Sequence, residues 1–164
     1  QMGCAPHEGI LHIDHTPRLV GDTNVLLCLG PIIMTGFLFG GPMAASHSAK
    51  LEAPSLDVQT CKTGLGIHAT AVASGMYAGG IQYGITWRPS SRTAITFQPR
   101  AGISYVDHPV HELPLRTQFE VGAHILASYD QWHIGLVFLH FSNAHLREPN
   151  IGTNMIGPVI GVSF

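Results

Sequence analysis

The stretch Arg92–Val106, RTAITFQPRAGISYV, alternates apolar and polar side chains along nearly its whole length. Its apolar face carries Ile95, Phe97, Pro99, Ala101, Ile103 and Tyr105. The opposite face carries Arg92, Thr96, Gln98, Arg100, Gly102 and Ser104. Side chains that alternate with a period of two lie on opposite faces of a β-strand. The stretch therefore predicts one long strand with an apolar face and a polar face.

Two other stretches repeat the pattern, MYAGGIQYGITWR at 76–88 and LRTQFEVGAHILASYD at 115–130. Their apolar faces carry Tyr77, Ile81, Tyr83, Ile85 and Trp87, and then Leu115, Phe119, Val121, Ile125 and Tyr129. Strands of soluble β-sandwiches average about five or six residues, whereas a tilted strand of about twelve residues can span a bilayer. Aromatic residues near the strand ends fit an interfacial belt. The length therefore favours an all-β fold, an antiparallel transmembrane β-barrel with Arg, Gln, Glu and Thr side chains inside.

Six strands are clear from residue 61 onward. We place them at about 61–72, 76–88, 92–105, 115–129, 131–143 and 152–164. The last one ends on an aromatic residue, Phe164, and resembles the terminal assembly signal of bacterial outer-membrane barrels. Eight strands is the smallest usual closed barrel. We therefore expect eight strands, with the missing pair in the first 60 residues, at 8–14 and in part of 22–39.

The apolar segment 24–49 has two interpretations. It resembles an export signal, with Arg18 ahead of it and small residues at Ala44 and Ser46 before a cleavage site. It can equally supply the first strands of the barrel. We therefore divide the chain into an N-terminal segment, 1–49, that is either a signal region or early strands, and a barrel domain at 50–164.

The composition restricts the possible partners. Only 11% of the 164 residues are charged, against about 25% in an ordinary soluble domain, and the formal net charge is −2. The scattered arginines form no basic stripe, which argues against nucleic-acid binding. Cys4, Cys28 and Cys61 have no spacing typical of a disulfide framework or a zinc site.

The eleven histidines raise the question of a metal site. The candidates are HIDH (His12, Asp14, His15) and DHPVHE at 107–112. Neither is an HExxH motif, and Pro109 places the second in a turn. We therefore expect solvated loop histidines, and no metal ion or other cofactor.

The stretch HFSNAHLREPNIGTN, 140–154, places polar side chains on an oily face. His140 and Ser142 continue the even-numbered face of the strand that carries Trp132, and Asn154 shares a face with Ile156. A hairpin between these strands would bring His140, Ser142 and Asn154 together on the outer wall. Polar groups that face lipid are costly away from the interface, so the pattern favours a functional site.

This stretch resembles the lipid A 3-O-deacylase family, the acyloxyacyl-hydrolase-like outer-membrane barrels. The resemblance extends over roughly 61–164 and rests on an H-x-S-N-A motif, an N-x-G segment and a catalytic Glu fourteen residues after the His. The matching residues are His140, Ser142, Asn143, Ala144, Asn150 and Gly152. The chain departs from the family at the third catalytic position, where Asn154 replaces Glu.

The resemblance implies a monomeric esterase of the bacterial outer membrane that removes an ester-linked acyl chain from lipid A of lipopolysaccharide, surrounded by membrane lipids. Ser142 would attack the ester carbonyl and His140 would accept its proton. Asn154 would orient His140 without supplying charge, and Glu148 is the nearest alternative carboxylate. Candidate oxyanion or substrate donors are Asn143, Ala144, Asn150 and Gly152. The alternative is a structural or adhesion barrel that has lost the acid and with it most or all activity; a small pore is disfavoured because side chains fill an eight-stranded lumen.

Overall fold

The computed structural model describes residues 18–20, 31–42, 51–61, 63–109, 114–148 and 152–164. These residues contain nine β-strands. The strands are β1 (Arg18–Val20), β2 (Ile32–Pro42), β3 (Leu51–Gln59), β4 (Gly64–Val72), β5 (Met76–Arg88), β6 (Thr93–Val106), β7 (Thr117–Tyr129), β8 (Trp132–Ser142) and β9 (Thr153–Ser163). Within the described ranges, no helix is long and apolar enough to span a membrane.

Strands β2 to β9 form a closed barrel in which each strand is antiparallel to its neighbours. The barrel closes where β2 pairs with β9, for example Thr35 with Ile160. The short β1 pairs with the end of β5, Arg18 opposite Arg88. The predicted eight-stranded antiparallel barrel is confirmed.

The faces of the strands follow the sequence pattern. In β6 the apolar residues Ile95, Phe97 and Ile103 point outward and are 45–60% exposed. Thr96, Gln98 and Arg100 alternate with them and are buried in the lumen. An outer wall this apolar matches lipid rather than water. The barrel thus has an apolar exterior and a polar core.

Paired charges and hydrogen bonds fill the lumen. The Arg100 guanidinium contacts the carboxylates of Asp57 and Glu120, with 2.6 Å between Arg100 Nε and Glu120 Oε1. Thr70 donates a 2.7 Å hydrogen bond to Asp57 Oδ2. Because an isolated charge is costly in a dry interior, this cationic side chain lies between two anionic ones.

The strand boundaries agree with the sequence analysis from residue 64 onward. The missing pair is β2 and β3; β2 overlaps the predicted 22–39, whereas the predicted strand at 8–14 lies outside the described residues. Strand β2 lies within the segment 24–49, for which the sequence left a signal region and the first barrel strands as alternatives. The signal cleavage near Ala44 and Ser46 remains a prediction about residues that the structure does not describe.

The two ends of the barrel differ in their connections. One end, which we call the short-turn end, carries the connections 60–63, 89–92 and 130–131. The other, the long-loop end, carries 43–50, 107–116 and 143–152, together with the tight turn 73–75. In bacterial outer-membrane barrels the short turns lie on the periplasmic side and the long loops outside the cell.

Candidate active site

His140, Ser142 and Asn154 lie together on the outer wall near the long-loop end. His140 and Ser142 are at the end of β8, and Asn154 is at the start of β9 directly opposite His140 in the ladder. All three side chains are partly exposed. The antiparallel hairpin therefore produces the juxtaposition that the face pattern predicts.

The His140 ring is held by a hydrogen bond to Asn154. His140 Nδ1 lies 2.8 Å from Asn154 Oδ1. An amide oxygen only accepts, so His140 Nδ1 must carry the proton and donate it. The other ring nitrogen, Nε2, is then unprotonated and has a lone pair. This is the tautomer that a general base needs.

Ser142 lies on the same face as His140, two residues farther along β8. Alternate residues of a strand are about 7 Å apart at their Cα atoms, a separation that side-chain rotation can bridge. The two described side chains are not hydrogen-bonded to each other. In an enzyme without substrate such a bond is often long or absent and forms when substrate is bound.

Gly152 packs against the His140 ring. Its backbone has φ +69°, and a Cβ atom at this position would lie 3.0 Å from His140 Cε1 and 3.6 Å from Nε2. Glycine adopts a positive φ without steric cost and leaves room for the ring. The structure therefore gives Gly152 a steric role beside the Nε2 edge, which the motif alone did not reveal.

Asn143 points into the barrel and braces the following loop. Its side chain is buried, and Nδ2 donates a 2.6 Å hydrogen bond to the carbonyl of Arg147. Ala144 and His145 both have positive φ, 50° and 62°, and Leu146 N–H donates to Asn143 C=O at 3.0 Å. The Asn143 amide therefore holds the turn from inside the barrel, whereas Ala144 is exposed two residues after Ser142.

The other predicted residues have different outcomes. Glu148 is about 75% exposed and faces His145, with 3.2 Å between His145 Nδ1 and Glu148 Oε1. Asn150 lies outside the described residues. Among described residues, no group of three or more His, Cys, Asp and Glu side chains could hold a metal ion; HIDH and part of DHPVHE fall outside that range.

A fixed cation lies at the same end of the barrel. Arg116 donates a 2.7 Å hydrogen bond to Tyr105 Oη, and its guanidinium carbon is 5.9 Å from the centre of that ring. The ladder aligns Ser142 with Phe119 on β7, and Phe119 with Ile103 on β6, two residues before Tyr105. Sequence reasoning missed this pair, because alternation places Arg116 on the polar face of its strand and Tyr105 on the apolar face of another.

The fold and the sequence have counterparts among known proteins. The structure is similar to the crystal structure of the outer membrane enzyme PagL, with a TM-score of 0.53 and 11% identity over 79% of this chain and 98% of that one. It is also similar to Ail, the attachment invasion locus protein of Yersinia pestis, solved in complex with the heparin analogue sucrose octasulfate. That comparison has a TM-score of 0.45 and 10% identity over 82% of this chain and 98% of that one.

A comparison with curated protein sequences finds no match. The family model for lipid A 3-O-deacylase (PagL), by contrast, matches residues 54–163, which include the whole β8–β9 hairpin with His140, Ser142 and Asn154. This match extends over about two thirds of the sequence. The chain belongs to the lipid A 3-O-deacylase (PagL) family.

Proposed function

We propose that this protein is an outer-membrane ester hydrolase that removes an acyl chain from lipid A of lipopolysaccharide. The observation that carries the proposal is the hydrogen bond from His140 to Asn154, beside Ser142 on the lipid-facing wall. A polar triplet at this position has no role in packing the barrel core. Family membership supports the choice of lipid A as substrate.

The position of the triplet also suits a membrane substrate. The long-loop end is the side that faces out of the cell in bacterial outer-membrane barrels. Lipopolysaccharide occupies the outer leaflet, so its ester bonds would lie at the depth of Ser142. A substrate could reach the site by lateral diffusion, without leaving the membrane.

Ser142 acts as the nucleophile in this proposal. Its Oγ forms a bond to the ester carbonyl carbon while His140 Nε2 takes the hydroxyl proton. The tetrahedral intermediate then expels the sugar oxygen, which receives that proton from His140. A water molecule, activated in the same way, releases the fatty acid from Ser142 and restores the enzyme.

Asn154 holds His140 in the productive tautomer, and backbone N–H groups near Ala144 stabilise the developing oxyanion, with Asn150 and Gly152 as further donor or substrate candidates. Asn154 supplies orientation only. A carboxylate at that position would also stabilise the imidazolium that forms as Ser142 attacks. We therefore expect a slow enzyme.

Arg116 contacts an anionic group of the lipid A head group. Its guanidinium is already oriented by Tyr105 and is exposed at the long-loop end. Planar guanidinium groups bind phosphate oxygens in pairs, and lipid A carries phosphates on its sugars. Such a contact would hold the sugar at the interface while an ester lies against Ser142.

Mass spectrometry of lipid A tests the proposed activity. Lipid A extracted from cells that produce the protein should be lighter, by one ester-linked hydroxyacyl chain, than lipid A from cells that do not. Cells that produce the Ser142→Ala variant at the same level in the membrane should have unmodified lipid A. Identical lipid A spectra in all three strains would contradict the esterase.

The replaced acid favours a second candidate, a structural or adhesion barrel with little or no catalysis. Asn154 lacks the charge of the family's Glu, and the loop carboxylate Glu148 contacts His145 rather than His140. An unchanged lipid A profile together with a phenotype of the deletion strain would support this candidate.

A further inference from the structure

An apolar groove lies on the outer wall near the short-turn end, far from His140. The ladder places Ile95, Ala127 and Ile134 side by side on β6, β7 and β8. The two isoleucines project from the wall, with 45% and 63% of their surfaces exposed. Ala127 has only a methyl group, so a depression runs between them.

The depression has the dimensions of a ligand site. Its volume is about 650 Å³, within the range of roughly 300–1,000 Å³ that is typical of small-molecule sites. Tyr129 and Trp132 line it and pair with each other across β7 and β8. Tyr129 follows Ala127 on β7 and Trp132 precedes Ile134 on β8, so both lie closer to the short-turn end. The groove is bounded there by aromatic rings of the interfacial kind.

A cation lies at the aromatic end of the groove. Arg92 Nη1 donates to Tyr129 Oη at 3.4 Å, and Arg92 Nε is 4.0 Å from Asp130 Oδ1. The Arg92 side chain is 68% exposed, so this distant carboxylate leaves most of the guanidinium open. Ser90 Oγ accepts hydrogen bonds from the N–H groups of Arg92 and Thr93 and so orders the turn that carries Arg92.

We propose that this groove binds an anionic phospholipid, with one acyl chain along Ala127 between the two isoleucines and the phosphate at Arg92. An apolar channel that ends at an aromatic belt and a cation matches the order of chain, glycerol and phosphate in such a lipid. The wall faces the membrane, so the occupant is drawn from the bilayer. The site is at the opposite end from Ser142 and is independent of the proposed hydrolysis.

Fluorescence of Trp132 reports on occupancy of the groove. The chain has two tryptophans, so Trp87→Phe leaves Trp132 as the sole emitter. The protein is reconstituted in mixed vesicles of phosphatidylcholine and phosphatidylglycerol, with bromine on the acyl chains of one lipid at a time. The quenching of Trp132 then gives the association constant of the anionic lipid relative to the zwitterionic one.

We expect phosphatidylglycerol to associate at least about threefold more strongly than phosphatidylcholine. Arg92→Gln should bring this ratio close to one, a loss of about threefold that is the effect of losing one partly exposed ion pair. Ala127→Leu should also bring the ratio close to one, because the larger side chain fills the groove. Both substituted side chains face outward, and a gel shift between boiled and unboiled samples checks that each barrel is folded.

Matched controls distinguish a site from general surface effects. Arg88→Gln removes a cation from the same rim outside the groove, and Ala69→Leu enlarges an exposed alanine on the outer face of β4. Neither should change the ratio. A ratio near one in the parent, a ratio unaffected by Arg92→Gln and Ala127→Leu, or an equal loss in Arg88→Gln would overturn the proposal.

Discussion

Asn154 provides His140 with an acceptor but not with a negative charge. Its Oδ1 holds the Nδ1–H tautomer, yet rotation of the amide by half a turn would present N–H groups and favour the opposite tautomer. A glutamate accepts with either oxygen and has no such unproductive orientation.

Asn154→Glu should therefore raise the rate of deacylation. Conversion of the triad acid to its amide costs about 10⁴ in turnover in a serine protease, so we expect a gain of at least tenfold here. The rate is measured as fatty acid released from purified lipopolysaccharide in detergent micelles. Asn154→Gln, which has the length of glutamate without its charge, should give no gain. An equal gain in both variants would show that length rather than charge limits the reaction.

Glu148→Gln should leave the rate within about twofold of the parent. The Glu148 carboxylate is exposed to solvent beside His145, and His140 Nδ1 already has its partner. Exposed pairs of this kind contribute little energy. The same micelle assay applies, and loss of the activity in Glu148→Gln would make the loop carboxylate the third catalytic residue in place of Asn154.

Arg116→Gln should raise KM for lipopolysaccharide with little change in kcat. The proposed role of Arg116 is to bind a phosphate rather than to take part in the reaction, so its loss weakens binding of substrate and transition state alike. We expect an increase of about three- to tenfold. A substrate without phosphate groups should show no difference between parent and variant, and a fall in kcat alone would contradict the assigned role.

At the scale of elements, the β8–β9 hairpin places the catalytic candidates. Its ladder sets His140 opposite Asn154, and its loop returns through Gly152 at a positive φ beside the His140 ring. The hairpin thus fixes both sides of the imidazole, Nδ1 by a hydrogen bond and the Nε2 edge by a close backbone approach.

Gly152→Ala should displace the His140 ring and lower activity by about tenfold or more. Its new methyl group would lie 3.0 Å from His140 Cε1, in addition to the strain of a positive φ. Gly64→Ala is the matched control, because Gly64 has φ +78° and no atom within 4 Å of the new Cβ. Gly64→Ala has the backbone strain alone, so it should lose less stability in urea than Gly152→Ala and should keep its activity. Equal losses of activity would mean that backbone strain alone is responsible.

Long alternating strands were predictable from the sequence, whereas β3 was not. Its sequence LEAPSLDVQ includes Pro54 on the outer face and the charged Asp57 on the inner face, a pattern that also fits a loop. Asp57 belongs in the strand because Arg100, on another strand, pairs with it. The grouping of His140, Ser142 and Asn154 followed from alternation alone, but the contacts of Gly152 and Glu148 depend on loop geometry that a strand period does not encode.

At the scale of the whole molecule, the lumen charges join distant strands. Arg100 on β6 reaches Asp57 on β3 and Glu120 on β7, and all three side chains are shielded from solvent. Gln59 and His124 add a 3.1 Å contact between β3 and β7 across the same interior. A polar core of this kind links opposite walls. It therefore maintains the cross-section of the barrel while the outer wall faces lipid.

Arg100→Met should strongly destabilise the barrel, because it leaves Asp57 and Glu120 buried without their cation. Removing one partner of a buried ion pair costs about 3–5 kcal/mol. The free energy of unfolding, measured by urea titration in lipid vesicles, should fall by this amount. The gel shift between boiled and unboiled samples monitors the folded fraction. Arg147→Met removes an exposed guanidinium from a loop and should change the free energy of unfolding by less than about 0.5 kcal/mol. Adding Asp57→Asn and Glu120→Gln to Arg100→Met removes the uncompensated charges and should recover most of the loss. If the triple variant is no more stable than Arg100→Met alone, the guanidinium acts through packing in the lumen rather than through charge balance.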